Sequence, residues 1–197
     1  MICYTLQIYY DFSGYSDMAI GLGKMFGFHF DENFRYPYMA ANITEFWRRW
    51  HITLSSWFRD YIYIPLGGSK KGLGKSVRNL FVVWLLTGIW HGADYTFIIW
   101  GLGYFVLLVL EKYIIKPQQR ATIFQGYYRI VTLFFVMILW VIFNSGTLAD
   151  ACNYIRTLIG WNRNALLVGK DIFYMKEYGV ILLWSLFCAV PILPYLS

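Results

Sequence analysis

The longest apolar stretch of the chain, "LFVVWLLTGIWHGADYTFIIWGLGYFVLLVL", runs from residue 80 to 110 and holds one histidine, His91, and one aspartate, Asp94. Its 31 residues exceed the roughly 20 that a helix needs to cross the hydrocarbon core of a bilayer. Two arrangements satisfy that length: one strongly tilted helix, or two shorter pieces broken between Gly88 and Gly92. Charge supplies a second constraint. Arg and Lys concentrate from Lys24 to Arg78 and again from Lys112 to Arg129. If both basic segments are cytoplasmic, the run between them re-enters; if it crosses once, one of them lies outside.

Composition places the rest of the chain in the same environment. Hydrophobic residues make up 58% and charged residues 14%, against about a quarter charged in soluble domains. A soluble domain with 21% aromatic residues would expose large apolar patches. Membrane residence removes that difficulty. The start shows no basic, apolar and cleavage-site succession, so no removable signal peptide is read. "ICYTLQIYYDFSG" after Met1 has the character of a helix interior, and the chain is expected to begin inside a larger domain. The net charge of +6 falls between apolar segments, as in cytoplasmic loops beside anionic headgroups, and nucleic acid is not an expected partner. Cys3, Cys152 and Cys188 stand singly, without a disulfide framework, and are expected as buried small hydrophobes.

Residues 2–28 mix apolar side chains with Ser13, Gly14, Ser16, Gly21 and Gly23, the pattern of a helix packed closely on others in lipid. "DENFRYPY" (31–38) breaks it at Pro37. In residues 41–65 a single amphipathic helix is expected: Trp47, Trp50, His51, Leu54, Trp57, Phe58 and Tyr61 share one face, and Arg48, Ser55 and Arg59 another. Such a helix belongs at headgroup level or against other helices. Residues 66–76, "LGGSKKGLGKS", read as a basic loop. A span is expected over 130–143, an amphipathic helix over 148–159, a loop over 162–171, and a last span over 178–196 kinked by Pro191 and Pro194. No internal repeat is visible. The expected fold is all-α: a multi-pass helical membrane protein with an amphipathic surface helix and re-entrant or broken segments, one domain over 1–197 or part of one.

His91 is the first chemical candidate. An ionisable side chain inside a membrane run is costly and by default functional. An imidazole, with a pKa near about 6.5, can take a proton from a hydroxyl nucleophile. The competing reading, a histidine hydrogen-bonded between helices for packing, weighs about equally on chemistry alone. Gly88 and Gly92 would allow backbone or substrate to approach. Asp94, three residues on, could orient the ring; capping the next segment is the more common role. His51 sits on an aromatic face, where structural histidines are common; its functional version holds a substrate carbonyl or offers a second proton site. His29 reads as structural. Arg48, Arg49, Arg59, Lys70 and Lys71 could meet the phosphates of a donor, although most such charges are simply solvated. No metal-ligand spacing occurs. "GLGKMFG" and "GLGKS" lack the spacing of a phosphate-binding loop, and "NIT" at Asn42, within a membrane-surface helix, carries little meaning as a glycosylation triplet.

Taken in order, "YYDFSGYSDMAIGLGKMFGF", "NFRYPY", "ITEFWRRWHITLSSWFRDYIYIPLGG", "RNLF" and "GIWHGADYTFIIWG" resemble the membrane-bound O-acyltransferase (MBOAT) family, and within it the branch that O-acetylates bacterial alginate. The likeness is dense from Tyr4 to Leu110 and looser from Tyr127 onward. It implies the C-terminal part of an MBOAT fold, in a multi-pass protein of the bacterial inner membrane, with an earlier portion of the usual fold missing. It further implies that an acyl group, acetyl in the alginate branch, passes to a hydroxyl of an exported polysaccharide. The histidine of the family's "WHG" motif corresponds to His91, and an upstream polar position of its active site to His51. No bound cofactor is implied; acetyl-CoA or an acyl carrier serves as cosubstrate on the cytoplasmic side. Membrane lipids, a periplasmic or extracellular acyltransferase partner and the polysaccharide acceptor are the other implied partners. In that reading His91 accepts the acceptor's proton, and His51 or nearby backbone stabilises the oxyanion. D-alanyl transfer to teichoic acid, a proton-coupled transporter using His91 as a relay, and an inactive scaffold are the alternatives. A transporter would favour repeated halves, and none is seen.

Overall fold

A computed structural model describes residues 1–161 and 169–191. The described residues hold eight α-helices: α1 (Ile2–Met25), α2 (Ile43–Arg49), α3 (Ile52–Phe58), α4 (Leu73–His91), α5 (Tyr95–Leu110), α6 (Thr122–Asn144), α7 (Leu148–Leu158) and α8 (Gly169–Cys188). Two helical stretches, Tyr95–Gln119 and Thr122–Asn144, are long and apolar enough to cross a membrane by length and composition.

The long apolar run is broken in two. α4 ends at His91, three residues turn the chain, and α5 returns antiparallel to α4. Glycine makes the close approach possible. A Cβ on Gly101 would lie 2.5 Å from the Trp84 carbonyl oxygen, and one on Gly88 2.7 Å from that of Phe97. Only residues without side chains let the two backbones meet there. The hairpin also brings the two basic segments to one end, where Lys112 Nζ donates to Ser69 Oγ at 2.8 Å. That end begins earlier than the pattern suggests, because α4 starts at Leu73 inside the expected basic loop.

The core lies between α1, α2, the hairpin and α6. Leu6, Tyr9, Ile43, Phe46, Trp50, Trp84, Trp100, Tyr104, Val136 and Trp140 are all buried in it. Aromatic rings fill most of that volume, at tilted and edge-on angles that suit their quadrupoles. Trp47, for example, meets Trp84 at 4.7 Å and Tyr104 at 4.8 Å, both edge-on. α1 packs through Thr5, Leu6, Tyr9, Ser13, Ser16 and Gly23, while Gly14 and Gly21 have no atom within 4 Å of a built Cβ. Its C-terminus closes as a Schellman motif: Gly27, at φ +81°, donates to the Lys24 carbonyl, and Phe28 to that of Gly23.

Residues 41–65 depart from expectation. In place of one amphipathic helix there are two seven-residue helices and a π-turn at Arg59–Tyr63. The break falls at Trp50, which is extended, and His51, which is left-handed at φ 47°. Its cause lies in the preceding loop. Arg35 donates its amide to the Arg49 carbonyl at 2.9 Å, and Ile52 donates to the Asn33 carbonyl at 3.0 Å. These bonds to residues 33–35 replace the helical ones at the junction, so the shared face of Trp47, Trp50 and His51 does not continue into α3.

Two further expectations change. The last helix begins at Gly169 and ends at Cys188, so Pro191 follows the helix and does not kink it; Pro194 and residues 162–168 lie outside the described residues. All three cysteines are free and exposed, on α1, α7 and α8. α8 has no buried residue and leaves Leu183 and Trp184 open. It reaches α1 through Tyr10, whose hydroxyl donates to the Ser185 carbonyl at 2.5 Å.

Candidate active site

His91 ends α4 at the tip of the hairpin. Four aromatic rings wall it: Trp90 at 4.8 Å, Trp100 at 4.9 Å and Phe143 at 5.2 Å, all near edge-on, with Phe97 stacked at 6.3 Å. Trp90 comes from α4, Phe97 and Trp100 from α5, and Phe143 from the end of α6. Among the described residues no side chain or backbone group hydrogen-bonds to the ring, which remains partly open. The flanking glycines have a packing role. Gly88 meets the α5 backbone, and a Cβ at Gly92 would strike the Phe97 ring at 2.6 Å. Asp94 stands at the N-cap of α5 without a side-chain capping bond. It is exposed, so it does not hold the imidazole.

His51 is built differently. Its Nδ1 lies 3.2 Å from Asn33 Oδ1, and the same oxygen accepts from the Thr53 amide at 3.2 Å and the Thr53 hydroxyl at 3.0 Å. A backbone amide can only donate, which fixes that Asn33 atom as the oxygen. Nδ1 of a neutral His51 must therefore carry the proton, and Nε2 is left as an acceptor. Burial pushes the imidazole down to about 4, so the neutral form prevails near neutrality. Phe12 lies edge-on to the ring at 4.7 Å, and Trp90 is 6.1 Å away. Trp90 thus touches the surroundings of both histidines.

Two adjoining clefts lead from the basic end of the hairpin. One of about 400 Å³ is walled by Trp47, Arg48, Ser55, Arg59, Trp84 and Thr87, among others. Thr87 stands one helical turn before His91. The second, about 370 Å³, is lined by Arg48, Tyr63, Ser69, Glu111, Lys112 and Lys116, among others. Arg48, Tyr63, Thr44, Leu80 and Leu108 belong to both. Arg48 has no ion-pair partner among the described residues. The other expected donor-binding residues are placed less favourably. Arg49 pairs with Glu45 at 2.5 Å, Arg59 pairs with Asp60 at 2.7 Å on the surface while still edging the first cleft, and Lys70 and Lys71 lie in an exposed turn. Asn42 is buried, and its side chain caps α2 by accepting from the Glu45 amide at 2.8 Å; a side chain so enclosed is not a glycan acceptor.

Sequence reasoning passed over Tyr63, Ser69, Ser76 and Glu111. Lys112 Nζ reaches the hydroxyls of Tyr63, Ser69 and Ser76 at 3.3, 2.8 and 3.3 Å. Burial alone would raise the Tyr63 phenol; its bonds with Ser69, Ser76 and Lys112 outweigh that, and its pKa is lowered. A lysine just past a long apolar run was the available signal. The described residues hold no group of three or more His, Cys, Asp or Glu that could bind a metal.

With fold and site in view, residues 1–148 match the membrane-bound O-acyltransferase family, and the chain belongs to that family. The probable alginate O-acetylase AlgI of Pseudomonas putida is 51% identical over 150 residues, covering 75% of this chain and 30% of the relative. Its counterpart in Azotobacter vinelandii is 42% identical over 194 residues, 98% of this chain and 37% of the relative. The peptidoglycan O-acetyltransferase of Helicobacter pylori is 41% identical over 163 residues, 82% and 31% respectively. The chain spans about a third of the length of these relatives.

Proposed function

We propose that this chain carries the acyl-transfer site of a membrane-bound O-acyltransferase that moves an acetyl group from an activated donor to a hydroxyl of an exported bacterial polysaccharide, alginate being the favoured acceptor. The observation that carries this reading is His91: an imidazole walled by four aromatic rings, without a hydrogen bond among the described residues, one helical turn from a cleft with a cationic mouth. A free ring nitrogen of His91 accepts the proton of the acceptor hydroxyl as its oxygen attacks the acyl carbonyl. The thiol of a thioester donor departs and takes a proton in turn. The aromatic walls limit the access of water, which would compete as nucleophile.

His51 takes the second of the two roles open to it. With Nδ1–H engaged by Asn33, its Nε2 accepts a hydrogen bond and can steady the acceptor hydroxyl, whereas a neutral ring in this tautomer offers no donor to an oxyanion. An unpartnered donor among the described residues stands beside the cleft in the indole N–H of Trp47, which is buried and would reach an oxyanion only if its ring turned towards the cleft. Arg48, Lys112 and Lys116 suit the phosphates of a coenzyme or of a carrier's prosthetic arm, on the cytoplasmic side. Lys70 and Lys71 would act at longer range, through the field they add at the mouth.

The test uses the full-length membrane protein with a radiolabelled acetyl donor or, in a separate arm, a radiolabelled D-alanyl donor, offered alginate, peptidoglycan fragments and teichoic acid in parallel. Label on alginate, lost on His91→Ala with the protein still folded, supports the reading. Transfer that survives His91→Ala overturns the general base. Transfer of D-alanine but not acetate moves the protein to the teichoic acid branch.

A further inference from the structure

The least expected polar group in the core is Glu111, 3% exposed at the end of α5, where the helix widens into a π-turn over Glu111–Ile115. Its carboxylate is enclosed by donors from two other helices. Oε2 accepts the Ile43 amide at 2.7 Å and the Tyr128 hydroxyl at 3.4 Å. Oε1 accepts the Thr44 amide at 2.9 Å and, in a shorter contact, the Thr44 hydroxyl.

These bonds account for most of what the start of α2 lacks. A helix leaves four amides without internal partners at its start. In α2 the first helical bond runs from the Phe46 amide to the Asn42 carbonyl; of the amides before it, the Asn42 side chain takes that of Glu45 and Glu111 takes those of Ile43 and Thr44. Seven residues do not make a self-sustaining helix, so the direction of α2 is set by what holds its ends. At its far end Arg49 leads through extended Trp50 into left-handed His51. Between the two ends stand Trp47 and Arg48, which wall the clefts.

We infer that Glu111 is a positioning residue of the transfer site: one carboxylate on α5 fastens the first turn of α2 and thereby sets Trp47, Arg48 and His51 against the His91 hairpin. This rests on the acyl-transfer reading above. Glu111 touches no reacting atom in this role. It acts through α2.

The experiment uses the full-length protein with Glu111→Gln, Glu111→Asp and Thr44→Val, and two readouts. Hydrogen exchange of the peptide spanning α2 reports the fastening directly, whether or not any acyl transfer is detected. Kinetics report its consequence. Glu111→Gln places an amide NH2 where an acceptor is needed; it should speed exchange in α2 at least tenfold and raise the donor KM at least fivefold. A smaller fraction of folded enzyme lowers the maximal rate but leaves KM alone, so the KM shift separates misplacement from misfolding. Glu111→Asp, which keeps both acceptor oxygens, should recover part of each effect. Thr44→Val loses only the hydroxyl and should shift both readouts two- to fivefold, which keeps the test open if Glu111→Gln fails to fold. Unchanged α2 exchange in Glu111→Gln, or in Thr44→Val should the former unfold, overturns the inference, as does an unchanged KM alongside faster exchange. Faster exchange in a protein that transfers no acyl group even as wild type would overturn the acyl-transfer reading and leave the fastening standing.

Discussion

The two histidines that frame the site are held in opposite ways. His91 stands at the tip of a helical hairpin welded by Gly88 and Gly101; aromatic rings wall it, and among the described residues no hydrogen bond fixes its tautomer. His51 stands on a left-handed backbone in an arm of two short helices, with its tautomer dictated by Asn33 and Thr53. A rigid scaffold with an unengaged imidazole suits a group that must accept a proton and give it up. A polar arm with an engaged imidazole suits one that orients. The difference teaches that burial alone does not assign a role; the hydrogen-bond inventory around each ring does.

The comparison breaks first at His91. His91→Ala should lower acyl transfer by about 10²–10⁴-fold with little change in thermal stability, whereas His51→Ala should cost less; the reverse order, in a radiolabel transfer assay, would exchange their roles. The hairpin's rigidity is tested next by Gly101→Ala. The Trp84 carbonyl oxygen lies 2.5 Å from the new Cβ, and backbone cannot swing aside as a side chain does, so a loss of about 3 kcal/mol is expected in detergent unfolding. Asn33→Ala strips the arm of three hydrogen bonds and leaves the Thr53 amide unpartnered, for a loss of about 2 kcal/mol.

Acid sharpens the contrast further. Burial holds folded His51 at about 4, below the value near 6.5 expected of the unfolded chain. The folded state thus refuses a proton that the unfolded state accepts. Stability from this source is full above about pH 6.5 and falls as pH drops towards 4; melting curves of His51→Gln should lose part of that slope. The smallest effects separate two neighbouring arginines. Arg48→Gln should raise the donor KM about tenfold, the worth of one charged hydrogen bond, while Arg49→Gln, which gives up its partly exposed pairing with Glu45 and a long bond to the Arg35 carbonyl, should stay within about twofold.

Much of this arrangement was legible beforehand. The order of motifs and the helix over 148–159 follow from short-range pattern, and the break in the apolar run was one of the two arrangements its length allowed; the cost of an imidazole in apolar surroundings is what made His91 a candidate. Other parts were not. The amphipathic pattern of residues 41–65 continues smoothly through Trp50 and His51, because periodicity records which side chains avoid water and cannot register a backbone bond to Asn33 or Arg35. The cysteines illustrate the same limit: apolar context suggested burial, yet what covers a helix face is decided by elements distant in sequence.

What the sequence determined by itself is the lipid-compatible helical class and the family, since these rest on composition and ordered motifs; for the long apolar run it allowed a break without requiring one. Only the tertiary structure decided which nitrogen of His51 is free, that Arg49 has an ion-pair partner among the described residues while Arg48 has none there, and that Glu111 takes two amides of the first turn of α2. Those outcomes depend on donors and acceptors up to 68 positions apart. A buried hydrogen bond is specified by geometry in space, and neighbouring letters do not carry it.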